Sequence, residues 1–225
     1  MRRAAAIADH ALTETLKTFS PGATELDFRA EIEHQILKAG GEGTSFPTII
    51  ASGPNGSFPH AGASDRVIRE HELFTEDIGA VYRGYSTYNP RTIWYGTLPP
   101  ELERLIRAVR EAQQQAVDAV RAGITCSDLD SVARKVLVEH GLGEYFVHSL
   151  GHGVGLDIHE SPGVRGTNSD PLKTGQVVTV EPGVYLPGVG GCRVEDTVVV
   201  EEKGCVPLNS FPKQSLGSTH PPARE

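Results

Sequence analysis

Three histidines, three glycines and two carboxylates fall within the thirteen residues His148-Ser-Leu-Gly-His152-Gly-Val-Gly-Leu-Asp-Ile-His159-Glu160. Histidines at i, i+4 and i+11, interleaved with glycines, cannot share one helix face. Extended backbone with close glycine turns can aim all three rings into one pocket. Downstream, Thr179-Val-Glu181-Pro-Gly-Val-Tyr185 and Arg193-Val-Glu195-Asp196 each set a glutamate inside an otherwise apolar, β-prone run. An unpaired carboxylate in such a place is costly to bury. A bound metal ion would explain both the imidazoles and the glutamates.

The elements that must position these groups can be read from the hydrophobic pattern. Residues 2–18 carry helix formers with apolar positions at Ile7, Leu12 and Leu16, and Ser20-Pro21-Gly22 breaks the run. Thr24-Glu-Leu-Asp27 is a near capping box, and Leu26, Phe28, Ile32, Ile36 and Leu37 trace a core-facing stripe that stops at Gly40-Gly41. Phe46 to Gly53, Val67-Ile68, Leu73-Phe74 and Ile78 to Tyr82 read as short strands joined by turns. Pro99 to Ala122 is a long amphipathic helix, with prolines at its start and Gly123 beyond its end. A further helix spans Ser127 to His140, extended segments follow to Leu208, and residues 213–225 have the composition of a loose tail.

The chain also echoes itself. Gly22-Ala-Thr24, Asp27, Leu37 and Gly40 recur as Gly123-Ile-Thr125, Asp128, Val138 and Gly141, an offset of 101. Each copy runs turn, capped helix, glycine stop, strand. Two similar halves imply an α+β domain about a pseudo-twofold axis, with strands of both halves curving into one sheet and helices on its outer face.

Composition narrows the function classes. A chain of 225 residues fits one large domain. The formal charge of -8, with no lysine- or arginine-rich run, argues against a nucleic-acid partner. Cys126, Cys192 and Cys205 lack CxxC spacing and suit a reducing compartment. Asp9 and His10 interrupt the N-terminal apolar run before a signal peptide could form, and no apolar stretch reaches transmembrane length. The expectation is a soluble cytoplasmic protein with no membrane partner.

The series Asp77-Ile-Gly79, His152 in GHGVG, His159-Glu160-Ser-Pro162, Glu181-Pro-Gly183 and Arg193-Val-Glu195 resembles the catalytic domain of the pita-bread metallopeptidases, which include methionine aminopeptidases, prolidases and Xaa-Pro aminopeptidases. The resemblance covers residues 1–212. It implies a pita-bread fold, a peptide substrate, and divalent ions such as Mn, Co or Zn. Carried over residue by residue, it makes Asp77 the terminal aspartate on a second ion, and His152 and Glu181 ligands of the first. Glu195 becomes the bridging glutamate. Glu181 doubles as the acceptor of the water proton. His60 in Pro59-His60-Ala61, His159 and His148 match residues around the scissile bond, where imidazoles stabilise an oxyanion or shuttle a proton. Tyr185 and Arg193 match partners on the oxyanion side. His10, His34, His71, His140 and His220 match nothing. A competing reading has the glutamates only pairing with Arg193 or Arg91.

One position departs from the pattern. The family sequence GY-x-x-D-x-T-R-T stands here as Gly84-Tyr-Ser-Thr-Tyr88-Asn-Pro-Arg91-Thr92, with Tyr88 where the second bridging aspartate belongs. Three carboxylates then face the four positive charges of two ions, so one well-held ion and a weak or empty second position are expected. Tyr88 either ligates as a phenolate, which the metal would have to ionise, or donates a hydrogen bond to nearby carboxylates. Pro59-His60-Ala61, Arg91-Thr92 and His148 place the chain nearer prolidases and Xaa-Pro aminopeptidases than methionine aminopeptidases. Such relatives carry a preceding N-terminal domain; a chain beginning at the catalytic domain implies a more open entrance. Oligomeric state is left open, a homodimer among the options. Two functions stand: a metal-dependent peptidase acting before proline, and a degenerate domain that binds peptides or hydrolyses without metal, as creatinase-like relatives do.

Overall fold

The structure is a computed structural model describing residues 1–19 and 21–213. Its first half runs α1 (Arg2–Thr18), α2 (Glu25–Lys38), β1 (Gly43–Thr44), β2 (Ile49–Ser52), β3 (Phe74–Asp77), β4 (Ala80–Val81) and β5 (Arg91–Ile93). The second runs α3 (Pro100–Ala119), α4 (Cys126–Glu139), β6 (Gly151–Gly153), β7 (Glu160–Val164), β8 (Val177–Val180), β9 (Gly183–Leu186), β10 (Gly190–Arg193), β11 (Asp196–Glu201) and β12 (Gly204–Pro207). In the expected tail, Lys213 pairs with Asp196; residues 214–225 lie outside the described residues. No helix among the described residues is long and apolar enough to cross a membrane.

The echo at 101 residues is structural. Thr24 and Thr125 both cap their helices by accepting a hydrogen bond from a backbone N–H three residues on, Asp27 and Asp128. α2 and α4 begin and end 101 residues apart, and Gly40 and Gly141, at φ of 90° and 73°, leave both helices through left-handed backbone that glycine adopts without penalty. Each half has its own apolar core. Ile7, Leu12, Phe28, Ile32, Ile36, Phe74 and Ile78 pack in the first; Leu105, Val109, Leu129, Val136, Leu150 and Val178 in the second.

The strands form antiparallel ladders: β2-β3-β5 in the first half, β12-β11-β8-β6-β7 in the second, and the pairs β1-β4 and β9-β10. Each of these ladders lies within one half, and side chains stitch the halves together. Thr92 Oγ1 on β5 donates to Arg193 O at 2.9 Å and accepts from Arg193 N at 3.0 Å, and these two residues are themselves 101 apart. Some elements are shorter than their hydrophobic patterns suggest. Val67 makes only an isolated bridge to Thr24, β4 keeps two residues, and α3 ends at Ala119 because Val120 turns extended.

Candidate active site

A cavity of about 620 Å³ opens where the ladders of the two halves meet, and its wall includes His60, Asp77, Tyr88, His148, His152, His159, Glu181 and Arg193. β3 delivers Asp77, β6 delivers His152, and β10 delivers Arg193. Gly151 lets β6 press against its neighbour: a Cβ there would collide with the Thr179 carbonyl. Glu181 follows β8, and its backbone N–H donates to Leu150 O at 2.8 Å, so the glutamate and the GHG strand share one frame. A shallower surface groove of about 780 Å³ along α3, by Trp94, Arg107 and Arg110, holds none of the candidate residues.

His152 Nδ1–H donates to Gly153 O at 2.9 Å, which turns Nε2 toward Glu181 Oε1, 3.1 Å away. Burial disfavours the imidazolium, yet the hydrogen bond and charge of Glu181 outweigh it and raise His152. Burial likewise opposes ionisation of Glu181, but His152 prevails and lowers that carboxyl to about 2. Thr179, which the sequence reading passed over, links the two: its hydroxyl accepts from His152 N at 3.0 Å and donates to Glu181 Oε1 at 2.9 Å. The signal was available, since residues two apart on a strand share a face.

A second network fixes the opposite wall. Arg193 Nη2 donates to Asp77 Oδ2, while Nη1 donates to Pro59 O and to Tyr185 OH, both at 3.0 Å. Tyr185 in turn donates to His148 Nε2 at 2.9 Å, and His148 Nδ1–H donates to Ser149 O at 2.8 Å. Desolvation lowers the His148 pKa, consistent with a neutral ring of defined tautomer. Desolvation against Arg193's attraction leaves Asp77 raised to about 6. The competing reading of the glutamates is not realised: Arg193 pairs with Asp77, and Arg91 faces Asp196 at 3.5 Å.

Among the described residues Glu195, fully buried, has no hydrogen-bond partner on either oxygen, and Asp77 Oδ1 is likewise unpartnered. Burial, then the charges of Glu181 and Asp77, push Glu195 well above the usual carboxylate range. Three carboxylates and an imidazole thus crowd one region with oxygens to spare, a donor set suited to a divalent cation. The side chains stand closed upon one another. Among the described residues no three histidine, cysteine or acidic side chains are spaced to hold an ion, and His152 must release Glu181 to share one.

Tyr88 sits in this region as a ring. It is buried, stacks on Phe46 at 4.6 Å and meets His152 edge-on at 5.0 Å. Desolvation and then Glu195, Asp77 and Glu181 raise its pKa, so the phenol stays protonated beside these carboxylates. No hydrogen bond from its hydroxyl to a carboxylate forms among the described residues; the backbone carbonyl of Tyr88 takes the polar contacts, from Thr197 and Asn209. Phe46, its stacking partner, lines the cavity, a role that its place in an apolar run of the sequence does not disclose. His60 and His159 stand exposed at the cavity, with His159 edge-on to His152 at 4.3 Å. His71 and His140 lie elsewhere, bonded to Thr97 O and Glu111.

Comparison with known proteins bears on this arrangement. The sequence profile of metallopeptidase family M24 matches residues 1–202. The Xaa-Pro dipeptidase of Pyrococcus furiosus is 40% identical over 216 residues, 96% of this chain and 62% of that protein. Among solved structures, the X-Pro aminopeptidase of Thermotoga maritima superposes with a TM-score of 0.93 at 40% identity, covering 96% of this chain and 61% of that one. The prolidase of Pyrococcus furiosus gives 0.91 at 41% identity, covering 94% and 63%. The chain therefore spans about three fifths of the length of these relatives. Motif order, ladder topology and these likenesses agree: the chain belongs to metallopeptidase family M24, with the pita-bread fold and the divalent-metal chemistry that membership implies.

Proposed function

We propose that this chain hydrolyses the N-terminal peptide bond of Xaa-Pro peptides, using one divalent ion (Mn, Co or Zn) held by His152, Glu181 and Glu195, with a weak or empty second position at Asp77. The observation that carries this reading is Glu195: a buried carboxylate whose two oxygens find no hydrogen-bond partner among the described residues and which faces two further carboxylates, a setting that a divalent cation would neutralise. Charge counting supports a single ion. With the three carboxylates ionised and His152 neutral, as ligation requires, Asp77, Glu181 and Glu195 with the Arg193 guanidinium sum to two negative charges, and the protonated Tyr88 adds none. Such an ion, when bound, acidifies water toward neutral pH and polarises a carbonyl. Glu181 would take the proton of such a water. His148, its Nδ1–H held by Ser149 O, belongs to a chain of hydrogen bonds running through Tyr185 to Arg193 that orients the oxyanion side. His60 and His159, exposed at the cavity, reach the residues flanking the scissile bond. The free thiols of Cys126, Cys192 and Cys205 support a cytoplasmic location.

A second reading, peptide binding alone or hydrolysis by the histidines without metal, is favoured by the direct His152–Glu181 contact and by the Tyr88 ring. Metal content after dialysis, measured beside release of free amino acid from an Xaa-Pro peptide with Mn²⁺, Co²⁺ or Zn²⁺ supplied, separates the two. Bound metal with turnover is expected; neither metal nor turnover overturns the peptidase. Within that reading Glu181→Gln removes turnover and leaves the circular dichroism spectrum unchanged, while retained activity rejects Glu181 as the proton acceptor.

A further inference from the structure

The second helices of the two halves carry the same ion pair with its polarity reversed. Arg29 and Glu33 on α2 pair at 2.8 Å; 101 residues later Asp130 and Arg134 on α4 pair at 2.8 Å. The α4 pair goes further and grips backbone. Asp130 Oδ1 accepts from Leu150 N at 3.0 Å, Arg134 Nη1 donates to Phe146 O at 3.0 Å, and Nη2 donates to His148 O at 3.1 Å. The guanidinium also lies 4.2 Å over the Phe146 ring. Positions 146, 148 and 150 bracket His148, and the same segment runs straight into β6 and His152. Asp130 is 1% exposed, so its bond from Leu150 N forms away from water, where a charge-assisted bond is strongest, while Arg134 is half-buried.

The first half does the same work with a different residue. Glu25, fully buried in the first turn of α2, accepts from Ser52 N and Oγ, both at 2.7 Å, and from Asn55 Nδ2 at 2.9 Å. It also accepts from Ser64 N at 3.0 Å and Ser64 Oγ at 2.7 Å. Residues 52–64 form the loop that carries His60. We propose that Asp130 and Arg134 are positioning residues for His148, and Glu25 for His60: each half fastens its histidine-bearing segment to its second helix through a buried carboxylate. The tautomer of His148 depends on a bond to Ser149 O within the gripped segment, so releasing the grip frees the ring as well as the backbone.

The catalytic consequence rests on the function proposed above; the positioning does not, and the test separates them. The metal-free full chain, labelled with ¹⁵N-histidine, is compared as wild type, Arg134→Met, Arg134→Lys, Asp130→Asn and Glu25→Gln. Ring signals are assigned with His148→Gln and His60→Gln. Wild-type His148 shows the Nδ1–H tautomer. Arg134→Met and Asp130→Asn shift it to a mixed population and leave His60 unmoved, Glu25→Gln does the reverse, and Arg134→Lys is intermediate. With metal and an Xaa-Pro peptide, Arg134→Met and Asp130→Asn lower kcat by about 10–100-fold, the usual cost of losing an outer orienting partner, with little change in KM. The proposal falls if His148 signals are unchanged in folded Arg134→Met or, should that variant not fold, in Arg134→Lys. It falls too if both histidines move together in every variant, which marks general loosening. A wild type without turnover overturns the proposed function alone, because the ring signals still decide the positioning.

Discussion

His148 has its two ring nitrogens assigned opposite duties, Nδ1–H donating to Ser149 O and Nε2 accepting from Tyr185. Both duties are met only by the neutral ring, and burial lowers the pKa in the same direction. The unfolded chain therefore binds a proton at His148 before the folded chain does. The stability this group contributes is complete above the ordinary histidine pKa of about 6.5 and is lost as pH falls below it toward the lowered folded value. Denaturant midpoints measured between about pH 7.5 and 5.5 should fall less steeply in His148→Gln than in wild type; identical slopes would show a solvated ring. Tyr88 invites the opposite experiment. Tyr88→Asp replaces a protonated phenol with a carboxylate beside Glu195 and Asp77, and calorimetric titration should then count two ions in the variant and one in wild type. Unchanged stoichiometry would show that the ring does not occupy the second ion's place.

The helices bear the repeat most visibly, and their caps allow it to be measured. Thr24 Oγ1 accepts from Asp27 N at 3.1 Å and donates to Asp27 Oδ2 at 2.7 Å, while Thr125 Oγ1 accepts from Asp128 N at 3.0 Å. Alanine at either site leaves orphan N–H groups at a helix start and should cost about 1 kcal/mol in urea unfolding. Equal stability would mean that neighbouring backbone holds the first turn unaided. The helices themselves were legible because their apolar positions recur at helical spacing over many residues. The strands were less so: β1 and β4 hold two residues each, too few for an alternating pattern.

At the scale of the molecule, two apolar cores are joined at a polar seam, and the seam is the site. Thr92 bridges it by bonding both backbone groups of Arg193, and Thr75 shares its hydroxyl at 3.0 Å. Thr92→Val keeps the shape and removes the bridge, stranding buried polar groups of Arg193. The expected loss is about 1–3 kcal/mol, read as a lower denaturant midpoint. A neutral outcome would show that packing alone registers the two halves. Cores formed separately leave their polar strand ends facing each other, which is why carboxylates and histidines from both halves meet there.

The sequence by itself determined the two-half plan, the capped helices and the identity of the residues at the seam. Local backbone preferences and hydrophobic spacing are properties of neighbouring residues, and the resemblance of the motif series to the family names Asp77, His152, Glu181 and Glu195 as candidate ligands without coordinates. Only the tertiary structure decided who pairs with whom. Arg193 chose Asp77 over either glutamate, Thr179 linked His152 to Glu181, Phe46 met the Tyr88 ring, and Asp130 and Arg134 took hold of the His148 segment. These partners lie on different strands and helices. Which of several available donors reaches a buried acceptor depends on the docking of the two halves, a long-range property that no local spacing encodes.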